Sequence, residues 1–74
     1  MAYPRLNSRG RRWVYTTARA VRRAFALHWA PIIKRRPSLI DDAPARREAF
    51  TQFVDELARE EAIPPALADS VTLE

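Results

Sequence analysis

The sequence predicts a small all-α protein, a helical hairpin of two long amphipathic helices followed by a short C-terminal third helix. Two stretches of the chain repeat apolar residues every three or four positions, which is the spacing of one helix face. The 74 residues include only one glycine, whereas β-rich folds need glycine at their tight turns. A chain of this length with 47% hydrophobic residues has room for one folded domain, which we expect to span residues 1–74.

The first helix is predicted over residues 8–30, after an irregular basic arm at residues 1–7. Asn7 or Ser8 is expected to cap it, because a short polar side chain accepts from the free N–H groups of a first turn. Pro31 is expected to stop or kink the helix, since proline lacks an N–H and disfavours helix at the residue before it. The residues that form the apolar stripe of this helix are Val14, Ala18, Val21, Phe25, Trp29 and Ile32.

The second helix is predicted over residues 42–61 and the third over residues 65–72. Asp42 can cap the second helix, and the Pro64–Pro65 pair ends it because two prolines cannot continue the hydrogen-bond ladder. The residues of its apolar stripe are Ala49, Phe50, Phe53, Val54 and Leu57. A short connection makes the first two helices antiparallel neighbours that share one core.

Charge is strongly segregated along the chain. Residues 1–37 contain ten arginines and lysines and no acid, whereas residues 38–74 contain three arginines and all nine acidic residues. Either the acidic half pairs with the basic half inside the fold, or the basic half is exposed to an anionic partner. If the charge is satisfied inside the fold, the acids that would face the basic helix are Asp55, Glu56, Glu60 and Glu61. Because they are too few to neutralise the basic half, we expect basic surface to remain available.

The basic half is therefore the candidate binding surface for nucleic acid. Guanidinium groups match phosphate geometry with paired hydrogen bonds, and Tyr3, Trp13 and Tyr15 are candidate platforms for stacked bases. The arginines assigned to this surface lie in the arm and along one helix face: Arg5, Arg9, Arg11, Arg12, Arg19, Arg22 and Arg23. The expected mechanism is phosphate neutralisation with release of counterions, which depends steeply on salt and weakly on base sequence.

A second hypothesis is a protein–protein inhibitor or adaptor that docks on a larger complex, including one that itself handles nucleic acid. The basic face would lie on an acidic protein surface, with Trp13 and Tyr15 as buried anchors. Small cationic regulators of this kind are common in phages and mobile elements, although that analogy is one of composition alone. A homodimer would add stability but is not required, because a chain this short hides only about 60% of its extended surface on folding.

Neither catalysis nor a metal or cofactor site is expected. The chain has one histidine, no cysteine and no glycine-rich phosphate loop. His28 lies on the apolar stripe of the first helix and is expected to be a hydrogen-bonded residue in the core or at its edge. The sequence nominates no acid or nucleophile to act with this histidine.

We expect no membrane span. We expect a cytoplasmic location. The longest apolar stretch near the N-terminus, residues 24–33, is only ten residues long and is too short to cross a bilayer. The absence of cysteine fits a reducing compartment. Two alternatives stay open: residues 1–30 also have the composition of a mitochondrial-type presequence, and basic helices also bind anionic membrane surfaces.

Overall fold

The computed structural model describes residues 5–73 and shows a small all-α fold, as the sequence predicts. The described residues form two long helices and a short one, with a 3-10 turn in the connection between the long helices. In chain order the elements are α1 (Ala18–Arg35), η1 (Pro37–Asp41), α2 (Ala43–Arg59) and α3 (Pro65–Ser70). The first four residues of the predicted basic arm, which include Tyr3, lie outside the described part of the chain.

Helix α1 begins ten residues later than residue 8, so the predicted start is wrong. Thr17 is the N-cap, and its hydroxyl accepts from the N–H of Ala20 at 3.1 Å. The residues just before it include the β-branched Val14 and Thr16, which lose side-chain freedom in a helix. Farther back, Gly10 has a φ of 73°, a left-handed conformation that no α-helix contains.

Pro31 does not end α1, so the first of the two expected outcomes, a stop, is wrong. The helix runs through it to the C-cap Arg36, whose N–H donates to the carbonyl of Ile32 at 2.9 Å. Proline leaves the carbonyl of Leu27 without its helical donor, but both residues are exposed and water can replace that donor. Ile32 and Ile33, which follow the proline, therefore belong to the last part of the helix. The basic residues of its last turn, Lys34 and Arg35, complement the negative end of the helix dipole.

Helix α2 begins one residue after the predicted residue 42 and ends two residues before the predicted residue 61. The side chain of Asp42 caps it by accepting from the N–H of Ala45 at 3.1 Å. At the other end, the N–H of Ala62 donates to Leu57 and that of Glu61 donates to Ala58, at 2.8 and 3.1 Å. This pair of bonds is a Schellman motif, in which the residue after the C-cap is left-handed and is usually glycine. Here Glu61 holds that position with a φ of 56°, at a cost of roughly 1–2 kcal/mol.

The core lies where α1, α2 and α3 meet, and Phe25 is at its centre. This side chain is 1% exposed, and its ring centroid lies 5.2 Å from that of Phe50 and 5.6 Å from that of Phe53, both edge-on. Trp29 stacks on it at 5.8 Å. The buried residues of this core are Val21, Phe25, Phe50, Val54, Ile63 and Leu67. Both predicted apolar stripes therefore contribute, together with the chain that follows α2.

His28 lies at the edge of this core rather than inside it. The residue is exposed, and its ring stacks on Phe53 with a centroid separation of 5.2 Å. A location at the core edge was one of the two expected, and the fully buried location is wrong. The reason is that Phe25 and Trp29 direct the apolar face of α1 toward α2, which leaves His28 on the shoulder of that face.

Candidate functional site

The residues before α1 form a compact basic loop, which we define as residues 6–12. Leu6 and Arg12 pair in an isolated antiparallel bridge, and the N–H of Asn7 donates to the carbonyl of Arg11 at 2.8 Å. The side-chain oxygen of Asn7 accepts from the N–H groups of Arg9 and Arg11, at 2.9 and 3.0 Å. The polar side chain predicted to cap a helix instead organises a turn, so the arginines of the loop project from an ordered backbone.

Backbone and amide hydrogen bonds attach this segment to the junction between α2 and α3. The side-chain amide of Asn7 donates to the backbone carbonyl of Glu61 at 2.9 Å. The N–H groups of Val14 and Tyr15 both donate to the carbonyl of Ala62, at 2.7 and 3.2 Å. The residues expected to form the start of α1 are therefore not helical and contact the junction between α2 and α3 instead.

The carboxylate of Glu61 makes a second attachment, to the tip of the basic loop. The hydroxyl of Ser8 donates to it, with Oγ 2.5 Å from Oε1 and 2.6 Å from Oε2. The N–H of Ser8 also donates to Oε1 at 3.2 Å, and Arg9 Nε lies 3.3 Å from Oε2. The Ser8 hydroxyl is the main reason why the pKa of Glu61 is lowered. Desolvation opposes this shift as the second-largest cause, and the Ser8 N–H and the Arg9 charge lower the pKa by smaller amounts.

Pairing between the acidic and basic halves, one of the two alternatives that the sequence leaves open, is largely absent. Within residues 5–73, Arg9 and Glu61 form the one ion pair. The other acids considered for this pairing, Asp55, Glu56 and Glu60, are exposed on or just after α2 and make no ion pair within that range. Internal pairing thus leaves most of the basic surface available to a partner.

The structure brings some of the predicted binding arginines together and separates others. Arg5, Arg12 and Trp13 line the same open depression of about 550 Å³. Arg19 and Arg23 are exposed one turn apart near the start of α1. The predicted continuous helix face from Arg12 to Arg23 is wrong, because α1 has not begun at residue 12.

Arg9 and Arg22 differ from the other predicted binding arginines because each already has a polar partner. Arg9 pairs with Glu61, as described above. Arg22 is half-buried, and its Nη1 donates to the carbonyl of Thr72 at 3.3 Å. This bond connects α1 to the segment after α3, which indicates a structural role for Arg22. Arg11 is exposed on the basic loop.

The two aromatic residues predicted at an interface have different surroundings. Tyr15 is half-buried and packs against the core, so much of its side chain is already covered by the protein itself. Trp13 is half-buried and lines two surface depressions. One is the arginine-lined depression, and the other, of about 220 Å³, is bounded by Glu61 and by residues around α3. Trp13 is therefore the better placed of the two to touch a partner.

Sequence reasoning assigned Asn7 and Glu61 to the wrong roles. Asn7 was expected to cap a helix, yet Asn7 and Gly10 stand at the first and fourth positions of a four-residue turn, which is a recognised turn pattern. That signal could have shown the turn. Glu61 was grouped with the acids facing α1, and no local signal marks it, because glycine rather than glutamate is usual at such a position.

Comparisons with known protein families, with curated proteins and with solved structures gave no match. Among residues 5–73, no helix has both the length and the apolar character that crossing a membrane requires. In the same part of the chain, no group of three or more acidic, histidine or cysteine side chains is placed to hold a metal ion. The chain's own geometry and charge are thus the basis for assigning a function.

Proposed function

We propose that the protein binds nucleic acid without catalysis, contacting phosphates with the basic loop and the start of α1. The observation that most supports this is the lack of internal neutralisation. Residues 1–37 carry ten basic side chains and no acid, yet only one ion pair forms within residues 5–73. The exposed arginines that we assign to phosphate contact are Arg5, Arg11, Arg12, Arg19 and Arg23.

The ordered backbone of the loop favours this use of its arginines. Hydrogen bonds from Asn7, Val14 and Tyr15 hold the segment, so binding does not have to pay for ordering a flexible arm. Trp13 lies beside Arg5 and Arg12 in the open depression, where its ring can stack on an unpaired base or pack on a sugar. Guanidinium groups around an aromatic ring are suited to a phosphate backbone and do not read base edges.

A titration at two salt concentrations tests the proposal. Labelled duplex and single-stranded DNA and RNA would be titrated at about 50 and about 200 mM salt, and binding followed by anisotropy. If four or five arginines neutralise phosphates, the logarithm of the association constant should fall with the logarithm of salt with a slope of roughly −4. Affinity should vary little with base sequence. Absence of binding at the lower salt concentration would rule the proposal out.

The second candidate function, an inhibitor or adaptor of a protein complex, is supported by the polarity of surface charge. The exposed acids Asp55, Glu56 and Glu60 lie on or next to α2, whereas Arg19 and Arg23 are exposed on α1. Complementary fields of this kind speed association and set orientation. A pull-down from lysate with and without nuclease separates the two functions. A protein band that survives nuclease and is lost in the Arg19→Glu/Arg23→Glu variant favours the inhibitor, and recovery of nucleic acid alone favours the first proposal.

A further inference from the structure

The Glu61 carboxylate is bound by a set of donors that is also suited to a phosphate group. The backbone N–H and hydroxyl of Ser8 and the guanidinium of Arg9 all meet it, at 2.5–3.3 Å. Backbone N–H groups, hydroxyls and arginines at a turn are the donors that proteins use for phosphate oxygens. The two carboxylate oxygens thus occupy the positions that two phosphate oxygens would take.

We propose that the tip of the basic loop, Ser8 and Arg9, is a phosphate-binding site that Glu61 occupies in the free protein. A phosphate of the nucleic-acid backbone binds there by displacing the carboxylate. This inference rests on the proposed function and deepens it, because it names the atoms that hold one phosphate. It also assigns Glu61 the role of an internal competitor for the site.

The site is preformed, because the bonds that shape the loop do not involve the carboxylate. Arg9 and Arg11 donate their N–H groups to the side chain of Asn7, which in turn donates to the backbone carbonyl of Glu61. These contacts persist when the Glu61 side chain rotates away. Displacement therefore exposes an ordered pair of donors rather than a disordered loop.

Solvent reaches the site, so an exchange of anions needs no opening of the fold. Ser8 is exposed, and the side chains of Arg9 and Glu61 are 59% and 27% exposed. A released carboxylate would be hydrated, and a surface ion pair of this kind is weak in water. The exposed Arg11 and Arg12 next to the site favour a polyanion over a single carboxylate, since a backbone with several phosphates can reach them as well.

The matched variants that test the proposal are Glu61→Gln and Glu60→Gln. Both raise the net charge by one, but Glu60 is exposed and makes no ion pair within residues 5–73. Duplex DNA affinity should rise roughly two- to fivefold for Glu61→Gln, the range expected when a weak surface pair is removed. The salt slope should stay nearly the same, because displacement of Glu61 already leaves Arg9 to a phosphate in the wild-type complex. Glu60→Gln should change affinity less and leave the slope unchanged.

A second measurement separates failure of this inference from failure of the nucleic-acid proposal. Nitrogen-15-labelled variants would be titrated with inorganic phosphate alone, and the amide shifts of Ser8 and Arg9 followed by NMR. These two amides should shift at lower phosphate concentration in Glu61→Gln than in Glu60→Gln. Adding Ser8→Ala to the Glu61→Gln variant should weaken that response, since it removes the hydroxyl donor.

The outcomes are distinct. Phosphate could shift the Ser8 and Arg9 amide signals in Glu61→Gln while no variant binds duplex. The anion site would then stand, and the proposal that it binds nucleic acid would be overturned. If duplex binds equally well to both glutamine variants and these amides do not respond to phosphate, nucleic-acid binding stands and the displacement of Glu61 is overturned. A failure of both responses overturns both proposals.

Discussion

The basic loop and the helical core are held in different ways, although they are only a few residues apart in sequence. The core is apolar, and its central ring, Phe25, contacts three other aromatic rings. Residues 6–15 are mostly exposed and are attached by hydrogen bonds to Glu61 and Ala62. Apolar burial contributes most of the stability of a small domain, whereas exposed hydrogen bonds contribute little net free energy. The region that carries much of the charge is therefore the less stable one.

This difference suits a binding protein. A loop held by polar contacts can exchange one of them, the carboxylate of Glu61, for a ligand without disturbing the core. Local openings of this kind need far less free energy than global unfolding. Variants should accordingly fall into two groups, those that unfold the domain and those that only release the loop.

The largest effect is expected for Phe25→Ala. Removing a buried phenylalanine costs about 3–5 kcal/mol, which is a large part of the stability of so small a domain. Phe53→Ala should cost less, because Phe53, although it belongs to the predicted apolar stripe of α2, is only half-buried. Leu27→Ala on the same helix is the control, since Leu27 is 70% exposed. Urea denaturation that ranks these three variants in another order would contradict the assigned core.

Asn7→Ala should release the loop while the core stays folded. The substitution removes one donor to Glu61 and one acceptor shared by two N–H groups, at a local cost of roughly 1–2 kcal/mol. Hydrogen exchange of the Arg9 and Arg11 amides should accelerate, while exchange of the Phe25 amide should change much less. Asn7→Asp is the matched control, because it keeps the acceptor and loses only the donor. Equal acceleration at the loop and in the core would show that the two regions unfold together.

The sequence predicts the helical core better than it predicts the basic loop. Both long helices, the Asp42 cap and the proline start of α3 agree with periodicity and capping rules, because local signals and core burial point the same way. The predicted start of α1 was wrong because the apolar periodicity includes Val14, which tertiary hydrogen bonds hold in a non-helical segment. The site was only partly predictable: the arginines are visible in the sequence, whereas the contact of Ser8 with Glu61 joins residues 53 positions apart.

Gly10→Ala should destabilise the loop by about 1 kcal/mol through the backbone alone. Gly10 has a φ of 73°, and a Cβ atom built there meets nothing within 4 Å, so no steric clash contributes. Gly10→Asn should be milder, because asparagine tolerates the left-handed conformation. The amide exchange of Arg11 measures both variants. Equal effects of alanine and asparagine would indicate that backbone conformation is not the cause.

The smallest effect is expected from acid pH. The contacts of Ser8 and Arg9 lower the pKa of Glu61, so they stabilise the loop above the pKa that this group has in the unfolded chain. That contribution is lost as the pH falls through the lowered pKa of the folded protein. The Ser8 amide shift should follow this titration in NMR spectra, and Glu61→Gln should abolish it. A Ser8 shift that titrates unchanged in the glutamine variant would assign the effect to another acid.

The central claim is that the basic loop, and not net charge alone, binds nucleic acid. Two double variants test it, because Arg11→Ala/Arg12→Ala and Arg46→Ala/Arg47→Ala each remove two exposed positive charges. Arg46 lies beside the last turns of α1, at the end of the hairpin away from the loop. Duplex affinity measured against salt should show a slope shallower by about two for the loop variant and almost unchanged for the α2 variant. Equal losses of affinity and slope in the two variants would contradict the account.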